Sequence, residues 1–130
     1  MNPPARKAER ASAERARRAA AACDDAKANE VVVLELAGVT SMTDYFVIAS
    51  GTSDTHVRSV AERVIETMAA EGTQLLGADG LTQGRWAVLD FGDVVVHVFH
   101  PSMRSFYQLE RLWGDAPVLA LNRQGVSADA

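Results

Sequence analysis

Residues 86–99, WAVLDFGDVVVHVF, constrain this chain more than any other stretch. Gly92-Asp93 separates two runs rich in β-branched and aromatic residues. A two-residue turn with glycine first is the type II′ signature, whose twist suits a β-hairpin. The turn then sets the register. Phe91 faces Val94, and the pairs run Asp90–Val95, Leu89–Val96, Val88–His97, Ala87–Val98 and Trp86–Phe99. Partners across a hairpin share a face of the sheet. One face is therefore Ala87, Leu89, Phe91, Val94, Val96 and Val98, an apolar set that predicts core. The other holds Trp86, Val88, Asp90, Val95, His97 and Phe99, where large rings stand beside groups that need hydrogen bonds.

Two aspartates and two histidines within residues 85–101 also raise the question of a metal. His97 and His100 are three apart on an extended chain, so they point to opposite faces and cannot share one ion without a bulge. Asp93 sits in the turn, far along the strand from His100. No metal site is expected. His97 reads as a partly buried, hydrogen-bonded histidine. Asp90 reads either as an acceptor near the turn or as a contact for a cationic partner. The mixed face as a whole has two readings. A helix covers it and Trp86 is core, or it is partly open and Trp86 with Phe99 forms an anchor ringed by Asp90 and His97. Tryptophan is the commonest hot-spot residue at interfaces and works best inside a polar rim.

The remaining chain supplies the layers around this hairpin. VVVLELA (31–37) and DYFVIAS (44–50) are strands by their composition, and both are apolar on nearly every residue. Such strands fit a sheet covered on both sides. Gly51-Thr-Ser-Asp then breaks the second strand and opens a helix over 54–71, with Ser53 or Asp54 as N-cap. Val57, Val60, Ala61, Val64 and Met68 share one face of it, and Gly72 closes it. Thr73–Leu76 reads as a short strand and residues 77–84 as a glycine-rich loop. Ser102 is placed to cap a last helix carrying Phe106, Leu109 and Trp113 on one side, stopped by Gly114 and Pro117. A short helix over 19–28 would set Ala20, Cys23 and Lys27 along one side. The fold class is α/β: a single domain with a mixed sheet of about five strands flanked by helices.

With 130 residues there is room for one domain with a sizeable core. We place it at 19–118, between a basic N-terminal tail (1–18) and a polar C-terminal tail (119–130). Cys23 is the only cysteine, which excludes an internal disulfide and fits a reducing compartment. No apolar run approaches the roughly 20 residues of a membrane span. Glu9 and Glu14 count against an organelle presequence, so a cytoplasmic location is expected. The net charge of −4 is uneven: residues 1–18 carry six Lys/Arg and two Glu, leaving seven bases against fifteen acids elsewhere. An acidic body repels bare nucleic acid and attracts a basic partner. Only the basic arm is suited to RNA, and then weakly; its Ala, Arg and Glu content equally suits a fraying helix.

Three blocks carry a resemblance to a known family. TDYFVIASGTS (43–53), WAVLDFGDVVVHVF (86–99) and RSFYQLERLW (104–113) are similar, in order and spacing, to the ribosomal silencing factor family, also called Iojap-like or RsfS. The resemblance runs from about Val31 to Trp113 and leaves out both tails. It implies a small α/β protein similar in fold to nucleotidyltransferase domains but without catalytic residues or cofactors. It implies binding to the large-subunit ribosomal protein uL-fourteen, on the face that meets the small subunit, so that subunit joining is blocked and translation damped. It places Trp86 at that contact, with Asp90, His97 and Phe99 as its neighbours, and it allows a homodimer. Arg104, Tyr107 and Glu110 also match the family; an Arg–Glu pair and a tyrosine packed on the sheet would account for them.

Enzyme readings compete with this one. Gly51-Thr-Ser53, after a strand and before a helix, resembles the phosphate-holding corner of a nucleotidyltransferase. Those enzymes also need clustered carboxylates to hold magnesium. Their Asp-x-Asp pair is missing where this chain has Thr55-His-Val-Arg58. Nucleophilic catalysis has less support, because Asp24 and Asp25 would raise the Cys23 pKa and capping explains Ser53 beside His56. An RNA-binding module could stack bases on Trp86 and Phe99, but the acidic body offers no electrostatic track.

Overall fold

The computed structural model describes residues 4–103 and 118–119. The first element differs from the sequence reading. In place of a tail to residue 18 and a short helix after it, one helix, α1, spans Pro4–Asp25. Alanine, arginine and glutamate are strong helix formers. Ser12, Ala16, Ala19, Ala20 and Cys23 recur at helical spacing and are all buried. Alanine is only weakly apolar, so this stripe lacks the contrast that usually marks a core-facing side. A boundary between residues 18 and 19 would cut the helix. Lys27, expected along one side of the helix with Ala20 and Cys23, instead lies beyond its end at φ 68° and exposed, while Ala28 N–H reaches back to the Cys23 carbonyl at 3.0 Å.

The strands follow as β1 (Asn29–Glu35), β2 (Tyr45–Ser50), β3 (Gly77–Asp79), β4 (Trp86–Asp90), β5 (Val94–Phe99) and β6 (Val118–Leu119), with α2 (Asp54–Ala70) between β2 and β3. Together they form a mixed sheet of order β3-β4-β5-β2-β1-β6. Among the described strands only β2 and β5 pair in parallel; the other pairs are antiparallel. The sixth strand is two residues long, so the sheet is close to the expected five. Every residue of β2 is buried, as its unbroken apolar sequence requires of a central strand. The hairpin pairs in the predicted register from Trp86–Phe99 to Asp90–Val95, and Phe91 N–H meets the Val94 carbonyl at 2.9 Å. The short strand predicted at Thr73–Leu76 falls a few residues later, at β3, inside the stretch read as loop.

Both described helices pack on one face. Val57, Val60, Ala61, Val64 and Met68 of α2 and the alanines of α1 meet Val33, Val47, Ala49, Ala87, Leu89, Val96 and Val98 in one core. Ser53 caps α2, its Oγ accepting His56 N–H at 3.0 Å. At the other end, Gly72 at φ 83° donates to the Ala69 carbonyl while Thr73 donates to Met68, a Schellman closure. The opposite face carries a smaller cluster of Leu34, Leu36, Phe46, Ile48 and Phe99. The predicted last helix, with Phe106, Leu109 and Trp113, lies outside the described residues beyond a 3₁₀ turn at Pro101–Met103, as do Arg104, Tyr107 and Glu110. So does most of the stretch read as a C-terminal tail.

Candidate partner-docking site

Trp86 opens β4 on the face away from the helices, directly opposite Phe99. The two rings lie 5.1 Å apart at a 32° tilt, within the range of favourable offset stacking. The indole N–H donates to His97 Nδ1 at 3.2 Å. His97 also lies nearly parallel to Phe99 and turns an edge toward Phe46 at 4.5 Å. Trp86 nevertheless stays 41% exposed, whereas Phe99 is at 0% and His97 at 7%. An aromatic side chain is thus held by its face and by its polar edge while much of it remains open to solvent.

Burial lowers the His97 pKa from 6.5 to about 4, since a charged imidazolium is disfavoured away from water. The ring is therefore neutral near pH 7. Because Nδ1 accepts, the single ring proton belongs on Nε2. That atom is buried and has no hydrogen-bond partner among the described residues.

The four residues singled out from the sequence accordingly separate. Trp86 and Asp90 reach solvent; His97 and Phe99 lie beneath. Asp90 accepts Gly92 N–H at 2.8 Å, which ties it to the turn. Four residue steps along the strand separate it from Trp86, roughly 13 Å, so it is no part of the immediate rim of the indole. Two further features of this end were not read from sequence. Arg85 reaches Ser102 Oγ at 3.3 Å, which brings Met103, itself 41% exposed, to the Trp86 end of the hairpin. Gly80, at φ 76°, leaves no room for a side chain: a Cβ there would lie 1.9 Å from the Trp86 carbonyl oxygen. The β3–β4 loop thus closes directly over the tryptophan backbone.

The other candidate corners are occupied by their own structure. At Gly51–Asp54, His56 Nδ1 accepts Thr52 N–H at 2.8 Å while Nε2 lies 2.7 Å from the Ala26 carbonyl, so the ring joins the end of α1 to the start of α2. His100 Nε2 lies 3.3 Å from Asp54. Asp93 is engaged by Arg15 and by Ser12 Oγ at 2.7 Å. Among the described residues no three His, Cys, Asp or Glu side chains come together as metal ligands would. Cys23 is buried, and burial, reinforced by Asp24, pushes its thiol up to about 12, which leaves no thiolate for chemistry. No described helix is long and apolar enough to cross a membrane.

Comparison with known proteins places these features in a family. The family model described as ribosomal silencing factor during starvation matches residues 9–130. The chain is 44% identical over 104 residues to the ribosomal silencing factor RsfS of Bacillus subtilis, covering 80% of this chain and 88% of that protein. It is 30% identical over 102 residues to the chloroplastic protein Iojap of Zea mays, covering 78% and 44% respectively. A crystal structure of a protein from Chromobacterium violaceum superposes with a TM-score of 0.74 at 34% identity, over 78% of this chain and 84% of that one.

Proposed function

The chain belongs to the ribosomal silencing factor family, a family of translation regulators, and from that premise we propose that it acts by occupying space. It docks on the large-subunit ribosomal protein uL-fourteen and covers the surface at which the small subunit would join. The observation that carries this reading is Trp86, an exposed ring fixed from below by Phe99 and His97. A large aromatic held in one orientation gives up little rotamer freedom on binding. Asp90, exposed on the same face, suits the rim of a contact with a basic protein, and the chain's net charge of −4 favours approach to such a partner. Docking of this kind needs no covalent step, cofactor or metal, and it belongs in the cytoplasm with the ribosome. A homodimer, which the family resemblance allows, would have to leave Trp86 open. Contact of the basic N-terminal stretch with rRNA would be weak, because Arg15 and Arg18 are already paired with Asp93 and Glu71.

The test is Trp86→Ala. The variant keeps a folded circular dichroism spectrum and binds isolated large subunits at least about 2 kcal/mol more weakly, roughly 30-fold in Kd. A folded variant that binds like the parent, or one that unfolds, contradicts the anchor. Magnesium-dependent nucleotide turnover by the purified protein would favour the nucleotidyltransferase-like reading instead.

A further inference from the structure

We propose that His97 is a positioning residue for the Trp86 anchor: its Nδ1 holds the indole N–H so that the exposed ring stands in its docking orientation before a partner arrives. The inference rests on the docking reading and assigns within it a role that the sequence left undivided among four residues.

The argument starts from a mismatch. His97 lies below the surface of a face where its neighbours are Phe46, Phe99, Val88 and Trp86. An apolar side chain of similar size, such as leucine, would suit those neighbours without burying a polar atom. Histidine fills it at a cost, since its Nε2 proton is buried with no acceptor among the described residues, and an unpaired buried donor is unfavourable. One polar contact offsets this, the 3.2 Å bond from Trp86 Nε1. It crosses the hairpin diagonally, because Trp86 is paired with Phe99 and His97 with Val88. Phe99 supports the indole by its face but leaves it free to slide and rotate in plane. A hydrogen bond at the ring edge removes that freedom. Burial also keeps His97 neutral, so Nδ1 remains an acceptor near pH 7. The unpaired Nε2 and the satisfied Nδ1 together indicate a residue retained for what it does to the indole.

The experiment uses the full chain with three substitutions at His97. His97→Leu removes the acceptor. His97→Asn places an amide oxygen near the position of Nδ1, and His97→Gln carries its acceptor toward the position of Nε2. Two readouts are taken: the Trp86 indole ¹H–¹⁵N resonance, assigned by its loss in Trp86→Phe, and affinity for isolated large subunits. In His97→Leu and His97→Gln the indole proton should move upfield and exchange faster with water, and affinity should fall about tenfold. His97→Asn should recover most of both. In a Trp86→Phe background, which has no N–H to hold, His97→Leu should cost no further affinity. A residue that only filled space would not separate Asn from Gln. Parental binding by folded His97→Leu, or an equal loss in the Trp86→Phe background, overturns the positioning role alone. Parental binding by Trp86→Ala overturns the docking reading and this inference with it.

Discussion

At His97 the pKa falls from 6.5 to about 4 on folding, so between those values the unfolded chain takes up a proton that the folded chain refuses. The contribution is neutral above about pH 6.5 and increasingly destabilising as the pH drops toward 4. It approaches about 3 kcal/mol. Denaturant titrations of the parent and of His97→Asn at pH 7 and pH 4.5 measure it, and the parent should lose more of its stability over that interval. Equal losses would contradict the burial argument. Gly51 offers a second test, because an added Cβ would lie 2.8 Å from Val57 Cγ2 and 2.9 Å from Val57 N. Gly51→Ala should therefore cost about 1–3 kcal/mol, seen as a lower midpoint in the same titration. Such close approaches cannot be read from sequence. The hairpin faces could be, since Gly92-Asp93 fixes the pairing and alternation does the rest. Which residues of the mixed face stay wet was not legible, since that depends on how far each side chain sinks among its neighbours. Alternation puts Asp90 on the face of Trp86, yet the strand's rise sets them far apart.

Among the elements, α1 was the hardest to read and has the most specific attachment. Ser12 Oγ lies 2.7 Å from Asp93 Oδ2 and 3.0 Å from Asp44 Oδ2, and Arg15 donates to the same Asp93 oxygen. The helix is thus fastened to the β4–β5 turn and to the start of β2. At Asp93, burial alone would raise the pKa, but the hydrogen bonds from Arg15 and Ser12 and the charge of Arg15 outweigh it and hold the carboxyl below 3.8. A lowered pKa stabilises the fold above about pH 4, and that support is lost as the pH falls through the folded-state value. Asp93→Ala should speed amide exchange across α1 at pH 7 while β2 and β5 keep their protection; unchanged α1 exchange would contradict the fastening. Deleting residues 1–18 removes Ser12, Arg15 and Ala16, so it should lower stability by at least about 2 kcal/mol, roughly 8 °C in Tm. A free tail would be lost without effect. The sequence concealed this because a stripe of alanines carries little hydropathy contrast and the charged residues around it suggested solvent. By contrast, α2 was legible to within a residue, since valines at 57, 60 and 64 and a Ser53 cap leave few other conformations.

At the scale of the whole molecule, the two described helices cover one face of the sheet and a core of Val33, Val47, Leu89 and Val96 fixes the hairpin beneath them. The far face of that hairpin presents Trp86. In the proposed docking the anchor would stand on a supported strand, since β4 is hydrogen-bonded on both sides, to β3 and to β5. Fold and family are therefore legible together from the three sequence blocks, while the proposed partner contact is legible only as a face. The most direct measurement of the central claim is sedimentation of purified small and large subunits mixed under joining conditions with increasing amounts of the protein. The account predicts that the protein travels with the large subunit and that joined particles decline in proportion. Sedimentation with the small subunit alone, or undiminished joining by large subunits that carry the protein, would contradict it.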